Sequence, residues 1–283
     1  LPPNAAEDVD PRLVVPICFV RTDGNAMKRT RATPFPLHAK SRLVVQGHKD
    51  RKPTQVRGDA PTASLEAQNL VVQMAASNKW ELQSADAENA YFQGERVERK
   101  FYFKPPACGP PRVEDGSLLE GHAAVYGTVE ASRQWWLKLK GVLETAGAIY
   151  SAFRPVLFYL KDRAGALIGV IATHVDDLLM AFAPTKRARE FQNELEKAIK
   201  FTNWDSAYKG VMYCGRDFKQ DPSEHAIDIS MERHALNLNP AKITRERARQ
   251  EESALNQSDH RAFRAIVGQG SWLGRLGNPG DNV

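Results

Sequence analysis

Ala172-Thr173-His174-Val175-Asp176-Asp177-Leu178-Leu179-Met180 places two adjacent carboxylates inside an otherwise apolar run over residues 167–182. Side chains on a regular strand alternate between faces, so Asp176 and Asp177 cannot both point the same way on one. The simplest resolution is a tight turn at the pair with an apolar strand on either side. Two charges then sit at the tip of a buried hairpin, where a cation makes them tolerable. The alternative is a surface turn in which Asp serves only as a turn former.

Working outward, Val156-Leu157-Phe158-Tyr159-Leu160 reads as a strand, and Lys161-Asp162-Arg163-Ala164-Gly165 as the turn into the apolar run. Downstream, Thr185 is the N-cap candidate of a helix over residues 185–200. Phe191, Leu195 and Ile199 recur every four positions there, against a face of Lys, Arg and Glu. A helix is also predicted over residues 132–146, with Trp135, Leu139 and Val142 on one face, Trp136 and Leu143 beside them, and Gly147 ending it. Residues 211–218 and 226–230 are strand-like and joined by Gln220-Asp221-Pro222-Ser223. Residues 232–283 are polar and charged, with a helix-like stretch over 260–276.

The first half supplies a second acidic strand. Trp80-Glu81-Leu82-Gln83-Ser84-Ala85-Asp86-Ala87 ends close to Asp86 and leads into Glu88-Asn89-Ala90-Tyr91-Phe92-Gln93-Gly94. Before it, Pro61 with Thr62 and Ser64 marks a helix start. Leu65, Asn69, Val72 and Ala76 are expected to line its buried stripe, widened by Leu70, Val71 and Met74. A basic zone runs from Lys28-Arg29-Thr30-Arg31 through Lys40, Arg42, Lys49, Arg51, Lys52 and Arg57, around the short strand Ser41-Arg42-Leu43-Val44-Val45-Gln46-Gly47-His48. It is either a solvated face or a phosphate-binding surface. Lys100 to Lys104 alternates basic and aromatic residues before Pro105-Pro106 stops the strand. Residues 1–25 are proline-rich and read as a poorly ordered lead-in or an edge strand.

The chain has 283 residues, 42% hydrophobic and 26% charged, which is ordinary for one large or two smaller globular domains. No uncharged apolar run approaches the length of a membrane span. The start, Leu1-Pro2-Pro3-Asn4, reads as cut from something longer. Cys18, Cys108 and Cys214 are widely spaced, which argues against a zinc knuckle or a disulfide framework and fits a reducing interior. A net charge of +5 leans towards a polyanionic partner.

Asp86 and the Asp176-Asp177 pair are thus two strand-borne acidic sites in a basic chain. Mg²⁺ prefers oxygen ligands, uses one or two protein carboxylates and keeps its remaining positions for water and substrate phosphate. One Asp from each of two neighbouring strands is the minimum that bridges a pair of such ions for phosphoryl transfer. If the chain turns after Asp86, the Tyr91 ring floors the sugar of a nucleotide held there. An Asp at a strand end is otherwise a structural residue. No Gly-x-x-x-x-Gly-Lys-Ser/Thr loop occurs, so an unrelated Mg²⁺-dependent phosphotransferase ranks low.

Six ordered blocks carry a resemblance: Lys40-Ser41-Arg42-Leu43-Val44-Val45-Gln46-Gly47, Asp59-Ala60-Pro61-Thr62, Trp80 to Asp86, Asn89-Ala90-Tyr91-Phe92-Gln93-Gly94, Tyr126-Gly127 with Arg133-Gln134-Trp135, and His174-Val175-Asp176-Asp177. Over about residues 35–235 the chain resembles the reverse transcriptase of the copia-type (Pseudoviridae) LTR retrotransposon pol polyprotein. The resemblance implies an α+β right-hand polymerase, with fingers and an antiparallel palm sheet backed by helices. Residues 1–25 are then a lead-in, 26–235 fingers and palm, and 236–283 the incomplete start of a thumb or connection. The implied activity is RNA-directed DNA polymerase, a nucleotidyltransferase.

In that family the positions of Asp86 and Asp176 hold two Mg²⁺ ions, with Mn²⁺ as the substitute, and that of Asp177 completes the triad. The position of Tyr91 stacks under the deoxyribose. Lys40 and Arg42 fall in the strand that meets the incoming triphosphate, and Tyr126 and Gly127 line the nucleotide pocket. His174 lies near the primer terminus, and Gly215 and Arg216 match the hairpin that grips the primer end. The implied partners are an RNA or DNA template, a DNA or tRNA primer and dNTPs, with no membrane. Integrase and RNase H parts of a polyprotein are expected, but neither carboxylate set is recognised in this chain. The implied location is intracellular, in a cytoplasmic virus-like particle, the nucleus or both.

Two departures matter. His174 stands where Tyr is usual. Thr128-Val129-Glu130-Ala131-Ser132 stands where the family usually has Leu-Lys-Gln-Ala-Pro, which loses a Lys and sets Glu130 near the expected triphosphate. The alternative to an active enzyme is therefore a decayed or co-opted copy that still binds nucleic acid.

Overall fold

The computed structural model describes residues 1–25, 34–51, 56–238, 240, 244–249 and 253–277. Lys28-Arg29-Thr30-Arg31 and Lys52 of the basic zone lie outside the described residues. In chain order the elements are α1 (Pro3–Ala6), β1 (Val14–Asp23), β2 (Ala39–Val45), α2 (Leu65–Asn78), β3 (Glu81–Ala87), α3 (Ala90–Gln93), β4 (Tyr102–Lys104), β5 (Leu119–Glu120) and α4 (Ala131–Thr145). Then come β6 (Ile149–Tyr150), β7 (Leu157–Lys161), β8 (Leu167–His174), β9 (Asp177–Phe182), α5 (Lys186–Ala198), β10 (Phe201–Ser206), β11 (Val211–Tyr213), β12 (Arg216–Gln220) and β13 (Ile227–Ser230). The last three are α6 (Glu232–Leu236), α7 (Arg245–Ala248) and α8 (Gln257–Gly277). No helix among the described residues is long and apolar enough to cross a membrane.

The apolar run becomes the centre of a six-stranded antiparallel sheet ordered β10-β3-β9-β8-β7-β6. Both faces of its central hairpin are covered, which is why the run shows no polar alternation. Leu178, Met180 and Phe182 of β9 face α4 and α5, packing on Trp135, Leu139, Leu143, Phe191 and Leu195. Leu179 and Ala181 face α2 and the small sheet β11-β12-β13, against Val71, Ala75, Tyr213 and Phe218. The antiparallel palm sheet backed by helices is thus present. Thr185 Oγ1 accepts from the Ala188 N–H and starts α5, as its sequence position predicts.

Three local expectations are corrected. Helix α2 begins at Ser64, whose Oγ accepts from the Ala67 N–H, but the buried face is Ala67, Gln68, Val71, Val72 and Ala75, and Leu70 is exposed. The face is rotated because Gln68 is drawn inward by a polar partner described below. Residues 211–218 form two strands, not one, because Cys214 (φ 49) and Gly215 (φ 77) turn the chain between Tyr213 and Arg216. Finally, β1 is neither a disordered lead-in nor an edge. It lies inside a second sheet ordered β2-β1-β4-β5, with Val15 and Ile17 buried against Val45, Phe101 and Phe103. Pro16 stands at the end of the β1–β2 ladder: its carbonyl accepts from the Gln46 N–H at 2.8 Å, and its ring forgoes only the return bond of that terminal pair.

This second sheet is joined to the rest by a close backbone crossing. The Val45 N–H donates to the Tyr126 carbonyl at 2.7 Å. Gly127 (φ 91) passes so near that a Cβ there would sit 2.0 Å from the Val45 carbonyl oxygen. Only glycine fits at that approach and that φ.

Candidate active site

The turn falls one residue earlier than the acidic pair. His174 pairs with Asp177 across the β8–β9 hairpin, so Val175 and Asp176 form a two-residue connection. The pair is thereby split: Asp176 is in the turn and Asp177 opens β9. Val175 has φ 56, a left-handed conformation that a β-branched residue avoids. Such strain costs on the order of 1–3 kcal/mol and persists only where neighbours hold it. Two bonds do so here. The buried Trp135 indole Nε1–H donates to the Val175 carbonyl at 2.5 Å, and the Ala87 N–H donates to the Asp176 carbonyl at 2.9 Å.

β3 runs antiparallel to β9 with Asp86 opposite Asp177. Carboxylate oxygens of Asp86, Asp176 and Asp177 therefore lie within 4.8 Å of one another. On the far side of β3 the pairing with β10 shifts between Phe201 and Asn203. Thr202, at this bulge, acts on Asp86 and opposes the rise of its carboxyl. Bulges beside a site re-aim side chains in this way. Nothing in the composition or periodicity of the sequence singles out Thr202.

Electrostatics follow from the crowding. Burial, then Asp176, then Asp86, push the Asp177 carboxyl up to about 7. Asp86 is also raised, by burial and then by Asp176, against the opposing pull of Thr202, Lys40 and Arg42. Three carboxylates so close resist full ionisation unless a cation compensates them. Their oxygen-only donor set, half-buried and open to further ligands, suits a hard divalent ion.

The remaining predicted residues distribute as follows. The chain turns after Asp86 at Asn89 (φ 49), and α3 sets Tyr91 edge-on to Tyr126 with ring centroids 4.8 Å apart. The Tyr91 hydroxyl lies 3.3 Å from Ser132 Oγ. Arg42 lies over the Tyr126 ring at 5.6 Å, and Lys40 shares its face of β2 because the two are two residues apart. Lys40, Arg42, Tyr91 and Tyr126 therefore gather around Asp86, and the Gly127 crossing fixes the Tyr126 segment. His174 faces Tyr213, and its Nδ1 is buried without a hydrogen-bond partner among the described residues.

Two charged residues singled out by the sequence lie buried. The Arg216 side chain is turned into the protein. It is 1% exposed and donates to Asn69 Oδ1 at 3.0 Å and Gln68 Oε1 at 3.4 Å, under α2. Gly215 does sit at a hairpin turn, but α8 covers it: Trp272 Nε1 is 3.3 Å from where its Cβ would be. Nor does Glu130 stand free near a triphosphate. It is 1% exposed and accepts from Arg99 Nε at 2.7 Å, while Arg99 Nη2 reaches Asp50 at 2.6 Å. Its charge is compensated within the protein.

A pH-dependent cost follows from Asp177. Its folded-state value lies above the ordinary 3.8, so the folded chain holds a proton that the unfolded chain has lost. This contribution to stability is present below about pH 4 and is lost as pH rises through about 7. In EDTA, the Tm of wild type relative to Asp177→Asn is expected to fall between about pH 5 and about pH 8, and added Mg²⁺ should restore it only at the upper end. A relative Tm that rises over this window would contradict the crowding.

A protein family described as "Reverse transcriptase (RNA-dependent DNA polymerase)" matches residues 27–237. The chain is 24% identical over 200 residues to the "Retrovirus-related Pol polyprotein from transposon RE2" of Arabidopsis thaliana, covering 70% of this chain and 13% of that protein. It is 26% identical over 200 residues to the corresponding RE1 polyprotein of the same plant, with the same coverage. It is 21% identical over 161 residues to that of transposon TNT 1-94 of Nicotiana tabacum, covering 56% of this chain and 12% of that protein. The chain thus spans about an eighth of the length of these relatives. Among solved structures, apo telomerase from Candida Tropicalis truncated from its C-terminal domain overlaps with a TM-score of 0.41 at 7% identity, over 78% of this chain and 56% of that one.

Proposed function

The chain belongs to the copia-type reverse transcriptase (RNA-dependent DNA polymerase) family, and on that premise we propose that it extends a primer with dNTPs, using Asp86, Asp176 and Asp177 as the carboxylates of a two-metal centre. The observation that carries this reading is the meeting of the three carboxylates within 4.8 Å from two strands distant in sequence. Asp86 and Asp176 would hold two Mg²⁺ ions, or Mn²⁺, with Asp177 completing the set. The chemistry such ions supply is activation of the primer 3′-hydroxyl and charge compensation at the transferred phosphate.

The chain's own contribution is positioning. The 3′-hydroxyl attacks the α-phosphate in line, and pyrophosphate leaves. Lys40 and Arg42 receive the triphosphate by charge. Tyr91, braced by Tyr126 and by the Ser132 hydroxyl, stacks under the sugar, and a ring at that place leaves no room for a 2′-hydroxyl. The backbone at Tyr126 and Gly127 borders the nucleotide pocket. His174 and the β11–β12 hairpin at Gly215 are assigned to the primer side, but not through the Arg216 guanidinium. Residues 26–235 are read as fingers and palm and 236–283 as the start of a thumb or connection. The partners are an RNA or DNA template, a DNA or tRNA primer and dNTPs, at work inside the cell within a particle, the nucleus or both.

A decayed copy is the weaker reading, because Glu130, its clearest ground, is paired with Arg99. The test is extension of a DNA primer on an RNA template. We expect incorporation with Mg²⁺ and none in EDTA. No incorporation with either Mg²⁺ or Mn²⁺, while primer–template still binds, would favour the decayed copy.

A further inference from the structure

We infer that Trp135 is a positioning residue: its indole N–H clamps the Val175 carbonyl and so holds the strained turn that aims Asp176 into the acidic cluster. As a statement about catalysis this rests on the polymerase reading; as a statement about the cluster it does not. The turn has two residues to restrain. Asp176 is tied to β3 by the Ala87 N–H, whereas Val175 has Trp135.

Packing fixes the direction of the clamp. Trp135 is 1% exposed and sits on α4 in the core it shares with Leu139, Leu143 and Leu178, so its Nε1–H has little freedom to point elsewhere. The turn itself is not braced by packing on that flank. A cavity of about 290 Å³, bordered by Pro61, Ser132, Trp135, Thr173 and Val175, opens beside it. Val175 at φ 56 tends towards the ordinary β-branched conformation, and the cavity gives its backbone room to move. Without the indole donor, the carbonyl is free to rotate and Asp176 leaves its place beside Asp86 and Asp177. A purely space-filling Trp135 would need only its bulk.

Trp135→Phe keeps most of that bulk and removes the N–H. The full chain is compared with this variant in wild-type and Val175→Gly backgrounds, reading Mn²⁺ affinity by electron paramagnetic resonance and primer extension on an RNA template. In the wild-type background, Trp135→Phe should lower Mn²⁺ affinity and kcat each by roughly ten-fold, as loss of a hydrogen bond to a buried group does. KM for dNTP and primer–template affinity should stay within about two-fold, because those contacts lie on other elements. In the Val175→Gly background the same change should lower Mn²⁺ affinity by less than about two-fold, since glycine holds φ near +56 without strain.

Unchanged Mn²⁺ affinity in Trp135→Phe overturns the inference. So does an equal loss in both backgrounds, which is what a core-packing role produces. If wild type fails to extend primers but the Mn²⁺ pattern holds, the polymerase reading falls and the clamp stands.

Discussion

Replacing Asp176 by Asn is expected to reduce primer extension by roughly 10³-fold, the upper end of what one charge-stabilising group contributes, while primer–template affinity stays within about two-fold. The substitution keeps the side chain's size and removes its charge. The turn should survive it, because both bonds that hold the turn are made by main-chain carbonyls, of Val175 and of Asp176 itself. On the proposed reading template and primer are held by basic and aromatic surface, so binding has no reason to weaken. Asp176 also raises the carboxyls of Asp86 and Asp177. Its neutralisation should therefore stabilise the metal-free protein at neutral pH while activity is lost. Thermal melting in EDTA beside an extension assay checks both halves. Wild-type extension by the Asn variant would remove Asp176 from the proposed chemistry. A lower Tm would instead mean that the carboxylate has a structural partner.

Arg99→Met is expected to be the most destabilising single change among the predictions made here, by about 3 kcal/mol or more. Arg99 lies between α3 and β4 and bridges Asp50, just past β2, to Glu130, at the start of α4. The side chains of Asp50 and Glu130 are only 3% and 2% exposed. Removing the guanidinium leaves two buried carboxylates without it, and breaking such a pair from one side costs about 3–5 kcal/mol. The lower end applies, since Arg99 itself is partly exposed. Thermal denaturation at neutral pH should show Tm lower by roughly 5–10 °C for a chain of this size. Glu130→Gln, which restores the residue usual in copia-type relatives, should recover part of the loss in the Met background because it removes one uncompensated charge. A variant that melts with wild type would show that Asp50 and Glu130 are satisfied without Arg99.

The helices and the acidic hairpin were legible because each carries a local signal. Phe191, Leu195 and Ile199 repeat with the helical period, Ser64 and Thr185 are cap residues, and two Asp inside an apolar run demand a turn. Asp86 was legible as an acid at a strand end, and its meeting with Asp176 and Asp177 required the strand pairing. What was hidden depends on contacts between residues far apart in sequence. An arginine after a glycine in a short strand reads as surface, but Arg216 is buried because Gln68 and Asn69 turn inward to accept from it. Those two adjacent amides beside the apolar stripe of α2 were the available sign. Glu130 reads as a misplaced charge until Arg99 is seen beside it. β1 was masked by Pro11 and Pro16, but Pro11 precedes the strand and Pro16 stands at the end of its ladder with β2. The turn lay one residue early because Trp135 and Ala87 together hold Val175 in a conformation its side chain disfavours.

The pairing of β3 with β9 also sets an order of events in folding. β7, β8 and β9 join through short connections and can form as a meander, but the Asp86–Asp177 register requires closing the long loop that contains α3, the second half of the β1 sheet and α4. Closure entropy makes such contacts late. The acidic cluster straddles that seam, so it does not exist until the seam is shut. A divalent ion held by that cluster would therefore bind only chains that have already crossed the barrier. It should slow unfolding far more than it speeds refolding, acting as a latch on a finished fold and not as its nucleus.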